Sequence, residues 1–254
     1  MGVVNVTADS FSDGGRFLDL GAAVAHARVL VAEGADLIDV GGESSRPGAD
    51  PVDVDEEIHR VVPVIEALAG EVRISVDTVK PAVARAAVEA GATLINDVSA
   101  RLADVAGELG VGYVVMHRQG TPHTMQIEPH YVDVVVEVKA FLAENAAEAI
   151  AAGVTEVWVD PGIGFGKTAD HNLSLLRHLD QIVALGYPVL VGTSRKAFLG
   201  TLLARSDGLD SPVPTDDRLE GSLATITWAM ARGASMIRVH DVRASVQAAK
   251  VVAA

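Results

Sequence analysis

The chain has 254 residues, 49% of them hydrophobic and 21% charged, with 24 glycines and 10 prolines, which excludes a disordered or fibrous chain and leaves material for a large core. It contains no cysteine, so a disulfide scaffold, a thiolate zinc site and a cysteine nucleophile are excluded, and the chemistry rests on oxygen and nitrogen. Thirty-four acidic against twenty basic residues give a net charge of −14, which repels nucleic acid and anionic membranes and obliges any bound anion to find a local basic cluster.

Read in chain order, a short apolar run at 3–6 predicts the first strand and an Ala-rich stretch at 20–33 the first helix. Strands follow at 37–40, 73–76, 93–95, 113–116, 156–159, 189–191 and 236–239. Between and after them the helical period predicts helices over 56–69, 81–90, 103–109, 132–152, 171–185, 218–232 and 242–252. Gly34, Gly91, Gly110, Gly153, Gly186 and Gly233 stand where a helix hands over to the next strand, as a left-handed helix exit requires. Runs such as Val189-Leu190-Val191 are apolar on both faces, the mark of strands buried between an inner core and outer helices. Eight βα units without a linker predict one (β/α)8 barrel of parallel strands, a TIM barrel spanning 1–254 as a single domain, over two Rossmann-like halves. No basic segment leads into an apolar one near Met1, and no apolar run reaches the roughly 18 residues of a membrane span, so the expectation is a soluble cytoplasmic protein.

Each predicted strand runs into polar residues: Asn5 and Asp9, Asp39 and Glu43, Asp77, Asn96 and Asp97, His117, Asp160, Ser194-Arg195-Lys196, and finally Arg238 and His240. The long irregular stretches at 8–19, 41–54 and 117–130 also follow strands, and a fourth lies at 206–217. In a barrel these ends converge on one mouth, about 10 Å across by the size of an eight-stranded interior. Solvated loops would also give polar residues after strands. Charges flanked by buried apolar runs are nevertheless costly unless paired or used, which singles out Asp77, Asp160, Lys196 and Arg238. Asp77, Asn96 and Asp160 offer acceptors that match the parallel N–H donors of a 2-amino-4-oxo-pyrimidine edge. Arg46, Arg195, Lys196, Arg238 and His240 offer donors for a phosphate-type anion. The pattern suits a flat heterocycle carrying a charged leaving group.

These residues lie in a series of motifs that resembles the dihydropteroate synthase family over almost the whole chain. The motifs are Met1-Gly2-Val3-Val4-Asn5-Val6-Thr7-Ala8-Asp9-Ser10-Phe11-Ser12-Asp13-Gly14-Gly15, Asp39-Val40-Gly41-Gly42-Glu43-Ser44-Ser45-Arg46-Pro47-Gly48, Ser75-Val76-Asp77-Thr78, Ile95-Asn96-Asp97-Val98, Met116-His117, Gly120-Thr121-Pro122, Asp160-Pro161-Gly162-Ile163-Gly164-Phe165-Gly166-Lys167, Ser194-Arg195-Lys196 and Arg238-Val239-His240-Asp241. The resemblance implies joining of 6-hydroxymethyl-7,8-dihydropterin pyrophosphate to p-aminobenzoate with loss of pyrophosphate. It implies that Asp77, Asn96, Met116, Asp160 and Lys196 bind the pterin, and that Asn5, Arg46, Arg238 and His240 bind the pyrophosphate. The family uses Mg2+ there, with Asn5 as the metal ligand. Phe11, Ser45, Pro47 and Phe165 correspond to the p-aminobenzoate site, and Asp13, Asp77, Lys196 and Arg238 to the catalytic set. The implied partners are these small molecules and a second copy of the chain, relatives being usually dimers.

Several positions depart from the family pattern. Met1 lies almost at the first strand, where most relatives carry a preceding hairpin, so a shorter barrel floor and a trimmed start stay open. Ala8 stands where Pro is usual, Ser99-Ala100 replaces Ser-Gly-Gly, and Ala197 follows Lys196 where some members have Ser. Other readings fare worse. The Gly166-Lys167-Thr168 run lacks the first glycine of a phosphate-binding loop, and Gly162-Ile163-Gly164 lacks the third glycine of a dinucleotide fingerprint. His117, His123 and His130 have no tight ligand spacing and are expected to be solvated loop residues. Asn5-Val6-Thr7 and Asn172-Leu173-Ser174 match a glycosylation sequon that a cytoplasmic chain does not use. Asp39 and Asp97 are expected to support the site or the fold, and Lys167 either serves the leaving group or caps a loop. A corrinoid-dependent methyltransferase on the same barrel and a non-catalytic pterin-binding paralogue are the alternatives. The Ser194-Arg195-Lys196 and Ser45-Arg46-Pro47 motifs weigh against the first, and the intact Asn5, Asp77, Lys196 and Arg238 against the second.

Overall fold

The computed structural model describes residues 1–7 and 20–254. Its strands are β1 (Gly2–Asn5), β2 (Leu37–Gly41), β3 (Arg73–Asp77), β4 (Leu94–Asp97), β5 (Gly112–Met116), β6 (Val157–Asp160), β7 (Leu190–Val191) and β8 (Met236–Ile237). Strands β1 to β6 pair in parallel in sequence order, and β7 pairs in parallel with β8. Single parallel bridges, Val159 to Val189 and Gly2 to Val239, join the two sheets at both seams, with Val3 N–H donating to Val239 O at 3.1 Å. The ring of eight is thereby closed as a (β/α)8 barrel.

The helices are α1 (Leu20–Ala32), α2 (Val54–Leu68), α3 (Pro81–Glu89), α4 (Ala103–Leu109), α5 (Val134–Ala151), α6 (Ala169–Arg177), α7 (Leu179–Val183), α8 (Ala197–Asp207), α9 (Leu219–Ala231) and α10 (Val242–Val252). Their starts follow local chemistry: Asp53 caps α2 through Asp55 N, Asp133 caps α5 through Val135 N and Val136 N, and Thr168 and His171 form a reciprocal capping box on α6. The six predicted helix-exit glycines all have positive φ, from 67° to 122°. Two expectations fail. The helix over 171–185 is broken at His178, where φ −110° and ψ 27° leave the helical region. Helix α8 is absent from the predicted elements, because Gly200 interrupts its apolar spacing. A side chain at Gly200 would come within 2.7 Å of both Arg218 Nε and Val213 O, so packing forces a residue that helix propensity disfavours.

What positions the site is the period of two along each strand. Met1, Leu37, Leu94, Val114 and Leu190 form one apolar cluster, with Trp158 and Met236 packed on it. Two residues further along β2, β4, β6 and the chain just beyond β8, the same inward face carries Asp39, Asn96, Asp160 and Arg238. The barrel interior is therefore apolar at the strand starts and polar at the strand ends. The outward face of the same strands, Ile38, Val40, Ile74, Val76, Ile95 and Val115 among them, packs on the helices.

Candidate active site

Arg238 is the centre of the polar layer. Its Nε donates to Asp39 Oδ2 at 2.6 Å and its Nη2 to Asp77 Oδ2 at 2.8 Å, so two carboxylates from neighbouring strands hold one guanidinium. Asn96 Nδ2 donates to the same Asp39 oxygen at 3.1 Å. Burial works against the Arg238 charge, yet Asp39 and Asp77 outweigh it and keep the guanidinium firmly protonated. Asp77 is pushed up to about 7, chiefly by burial, with Arg238 opposing and the Asp39 charge adding to the rise. Asn96 Oδ1 and Asp39 Oδ1 are buried with no hydrogen-bond partner among the described residues, unusual for buried acceptors and consistent with a site that receives a donor. Asp39, expected to support the site or the fold, does so by anchoring Arg238.

Opposite lies a second group. Asp160 ends β6, where Oδ1 accepts from Gly162 N at 2.7 Å, and burial raises its pKa against the pull of Lys196. Lys196 follows β7 and caps α8. Its Nζ donates to Ile163 O and stands 4.5 Å from the centre of the Phe165 ring, a cation–π contact. Burial lowers Lys196 to about 8. Gly164, at φ +86°, leaves room for the lysine stem: a Cβ there would sit 3.0 Å from Lys196 Cδ. The preceding residue, Arg195, holds a left-handed φ of 59°, costly for a residue with a side chain. Its N–H donates to Ser222 Oγ at 2.9 Å, its carbonyl accepts from Arg218, and its guanidinium pairs with Asp241. Arg195 is therefore committed to Asp241 in this structure.

His240 is deeply set, and burial followed by the Arg238 charge depresses it to about 3. Its backbone N–H donates to Ser194 Oγ at 3.2 Å, so the serine hydroxyl is free to donate to His240 Nδ1 at 3.1 Å. That assignment leaves the proton on Nε2, a neutral donor. Arg46 is exposed on the loop after β2, near enough for its charge to lower His240 as well. Gly48 N on this loop donates to Pro122 O at 2.9 Å, tying it to the loop after β5. Ser45 is half-buried and Pro47 exposed. Asn5 ends β1 beside Gly41, which is itself in register with Asp77. Met116 is buried at the end of β5, in register with Asp160. Phe11 and Asp13 lie outside the described residues.

The loop after β6 rests on Lys167. Its ammonium, on a residue 3% exposed, contacts His117 Nδ1 at 2.8 Å and donates to Gly162 O and Phe165 O, each at 3.0 Å. Burial lowers Lys167 to about 7, and burial with the Lys167 charge lowers His117 to about 3. Lys167 is a loop clamp. His117 is buried, against the expectation of a solvated histidine, whereas His123 and His130 are exposed. Gly162, at φ +64°, is required here because a Cβ would run into His117 O. Asp97 serves the fold: its carboxylate accepts from Ser99, Arg101 and Leu102 N–H groups and the Tyr113 hydroxyl.

Among the described residues no three acidic or histidine side chains stand together as a metal cage, and no helix is long and apolar enough to cross a membrane. A family model described as pterin binding enzyme matches residues 1–240. A dihydropteroate synthase of Mycobacterium leprae is 48% identical over 263 residues, covering 100% of this chain and 92% of the relative. The solved structure of Xanthomonas albilineans dihydropteroate synthase with 4-aminobenzoic acid superposes with a TM-score of 0.90 at 48% identity, covering 98% of this chain and 90% of that one. The same enzyme in complex with 7,8-dihydropteroate gives a TM-score of 0.86 at 46% identity, covering 98% and 90%. The chain therefore belongs to the pterin binding enzyme family, and within it to the dihydropteroate synthases.

Proposed function

We propose that this chain condenses 6-hydroxymethyl-7,8-dihydropterin pyrophosphate with p-aminobenzoate, giving 7,8-dihydropteroate and pyrophosphate. The observation that carries the reading is the convergence of Asp77, Asn96 and Asp160 with Arg238 and Lys196 on one mouth. Asp77 and Asp160 accept from the N–H edge of the pterin, and Asn96 Oδ1, without a partner among the described residues, is suited to a third donor. Met116 packs on the ring and Lys196 donates to its carbonyl or ring nitrogen. The C–O bond to the diphosphate breaks, leaving positive charge on the pterin methylene and added negative charge on the leaving group. Asp77, with Asp13 from the segment outside the described residues, stabilises the first; Arg238, Arg46 and the Nε2–H of His240 stabilise the second. The neutral amine of p-aminobenzoate then forms the C–N bond and sheds a proton to solvent or to the departing diphosphate. Phe165, Ser45, Pro47 and Phe11 form its pocket.

Mg2+ fits this arrangement as an ion carried by the substrate. It commonly keeps several waters and takes one or two protein oxygens besides phosphate oxygens, so the Asn5 carboxamide suffices as protein ligand without a carboxylate cage. Bound there, Mg2+ would neutralise charge on the leaving group. A cytoplasmic location and a homodimer complete the proposal, a chain without cysteine suiting a reducing compartment. The test is pyrophosphate release from the dihydropterin substrate, with and without p-aminobenzoate and Mg2+. Release that requires both supports the reading. Release that ignores p-aminobenzoate points to hydrolysis or another acceptor, and pterin binding without release points to a binding module.

A further inference from the structure

The loop that carries Ser45, Arg46 and Pro47 is held at both of its ends by one side chain that the reaction does not use. Lys80 stands three residues beyond Asp77, at the cap of α3. Its ammonium donates to Glu43 Oε2 at 2.7 Å, where the loop leaves β2, and to Val52 O at 2.6 Å, where the loop enters α2. The third bond goes to Glu57 Oε2 on α2 at 2.5 Å. Glu57 is 1% exposed, and its other oxygen accepts from Thr78 Oγ1 at 2.7 Å, one residue from Asp77. Glu43 closes the circuit by accepting from Val52 N at 2.6 Å. All three ammonium donors are thus used, and one cation is shared between the two carboxylates.

We propose that Lys80 is a positioning residue that clasps the two ends of the β2–α2 loop to strand β3 and so holds Arg46 over the diphosphate side of the mouth. Across the mouth the loop is tied by the bond from Gly48 N to Pro122 O. Between these anchors the Arg46 guanidinium forms no salt bridge among the described residues, and its charge reaches His240 beyond β8, two strands away around the barrel. An exposed, flexible guanidinium acts at a defined place only if the chain on either side is fixed, because ordering a free loop costs conformational entropy at the moment of binding. The inference rests on the function proposed above and names a residue through which its anion site is set.

The experiment measures binding of inorganic pyrophosphate by calorimetry, in the presence of Mg2+, to the wild-type chain and to the Lys80→Met, Lys80→Arg, Glu43→Gln, Arg46→Ala and Lys80→Met/Arg46→Ala variants. Arg46→Ala should weaken binding roughly tenfold, the scale of a hydrogen bond to a charged group. Lys80→Met and Glu43→Gln should each weaken it by about fivefold, and Lys80→Arg should restore most of the loss. The double variant should bind no worse than the weaker single one, since Lys80 acts through Arg46. Glu43→Gln leaves the Lys80–Glu57 pair in place and reports even if Lys80→Met does not fold. Losses that simply add in the double variant, or unchanged affinity in Glu43→Gln and Lys80→Met, overturn the inference while leaving the proposed function intact. A wild-type chain that neither binds pyrophosphate nor releases it in the coupled assay overturns both.

Discussion

Replacing Asp39 with asparagine should shift the acid limb of activity to lower pH, and the geometry gives the direction and size. Asp77 must be ionised to accept from the pterin edge, and it is pushed up to about 7 by burial with Asp39 adding to the rise. Removing the Asp39 charge removes one repulsion. At the effective dielectric of a protein interior, a neighbouring charge bound to the same guanidinium is worth about 1–3 kcal/mol, so the limb moves down by roughly one to two pH units. The introduced amide can keep its oxygen facing Arg238 Nε and Asn96 Nδ2, but its nitrogen then takes the place of Asp39 Oδ1, which has no partner among the described residues. That orphan donor and the weakened bond to Arg238 together cost about 2–4 kcal/mol of stability. The assay is kcat/KM for the dihydropterin substrate at saturating p-aminobenzoate, across the acid and alkaline limbs, with unfolding followed in parallel. An acid limb that stays near pH 7 in Asp39→Asn would refute the assignment of that limb to Asp77.

Other expectations follow from the same contacts. In the wild-type chain Lys196, lowered to about 8, should set the alkaline limb, giving a narrow optimum between about 7 and 8 in the kcat/KM profile. For stability the sign is opposite to an ordinary ion-paired carboxylate. Between 3.8 and about 7 the folded chain holds a proton on Asp77 that the unfolded chain has released, so this group's contribution falls as pH rises through that window, which proton uptake on folding would measure. Arg238→Ala should lower turnover by roughly 10²-fold or more, by analogy with lost oxyanion donors, and unchanged turnover would remove its leaving-group role. Lys167→Met leaves two loop carbonyls and His117 Nδ1 without their donor and should lower the melting temperature by about 5–10 °C. Ala100 sits at φ +54°, so Ala100→Gly should raise stability by up to about 1 kcal/mol in denaturant titration.

Much of this was legible in the sequence because it is carried by local period. Each strand reads apolar run then polar end, and counting by two from Leu37, Leu94, Trp158 and Met236 lands on Asp39, Asn96, Asp160 and Arg238. The same count places Asp39 inside the barrel, on the face that also carries Arg238. The Lys167–His117 contact spans 50 residues of sequence and depends on how two loops interlock, so neither residue type nor spacing announces it. The Lys80 clasp likewise joins Glu43, Val52 and Glu57 only once β2, α2 and β3 are assembled. Helix α8 was hidden by Gly200, whose reason is the approach of Arg218 from a later part of the chain. Sequence reading fails here where tertiary crowding overrides propensity.

The central claim is that acids and an amide from β3, β4 and β6 hold one ring while Arg238 beyond β8 and Arg46 of the β2–α2 loop hold its diphosphate. The most direct measurement is a crystal structure of this chain with the dihydropterin pyrophosphate bound. The account predicts the pterin N–H edge within hydrogen-bond distance of Asp77 and Asp160 and the diphosphate within reach of Arg238. Electron density that places the ligand elsewhere, or that engages Asp77 and Asp160 from the diphosphate end, would contradict it.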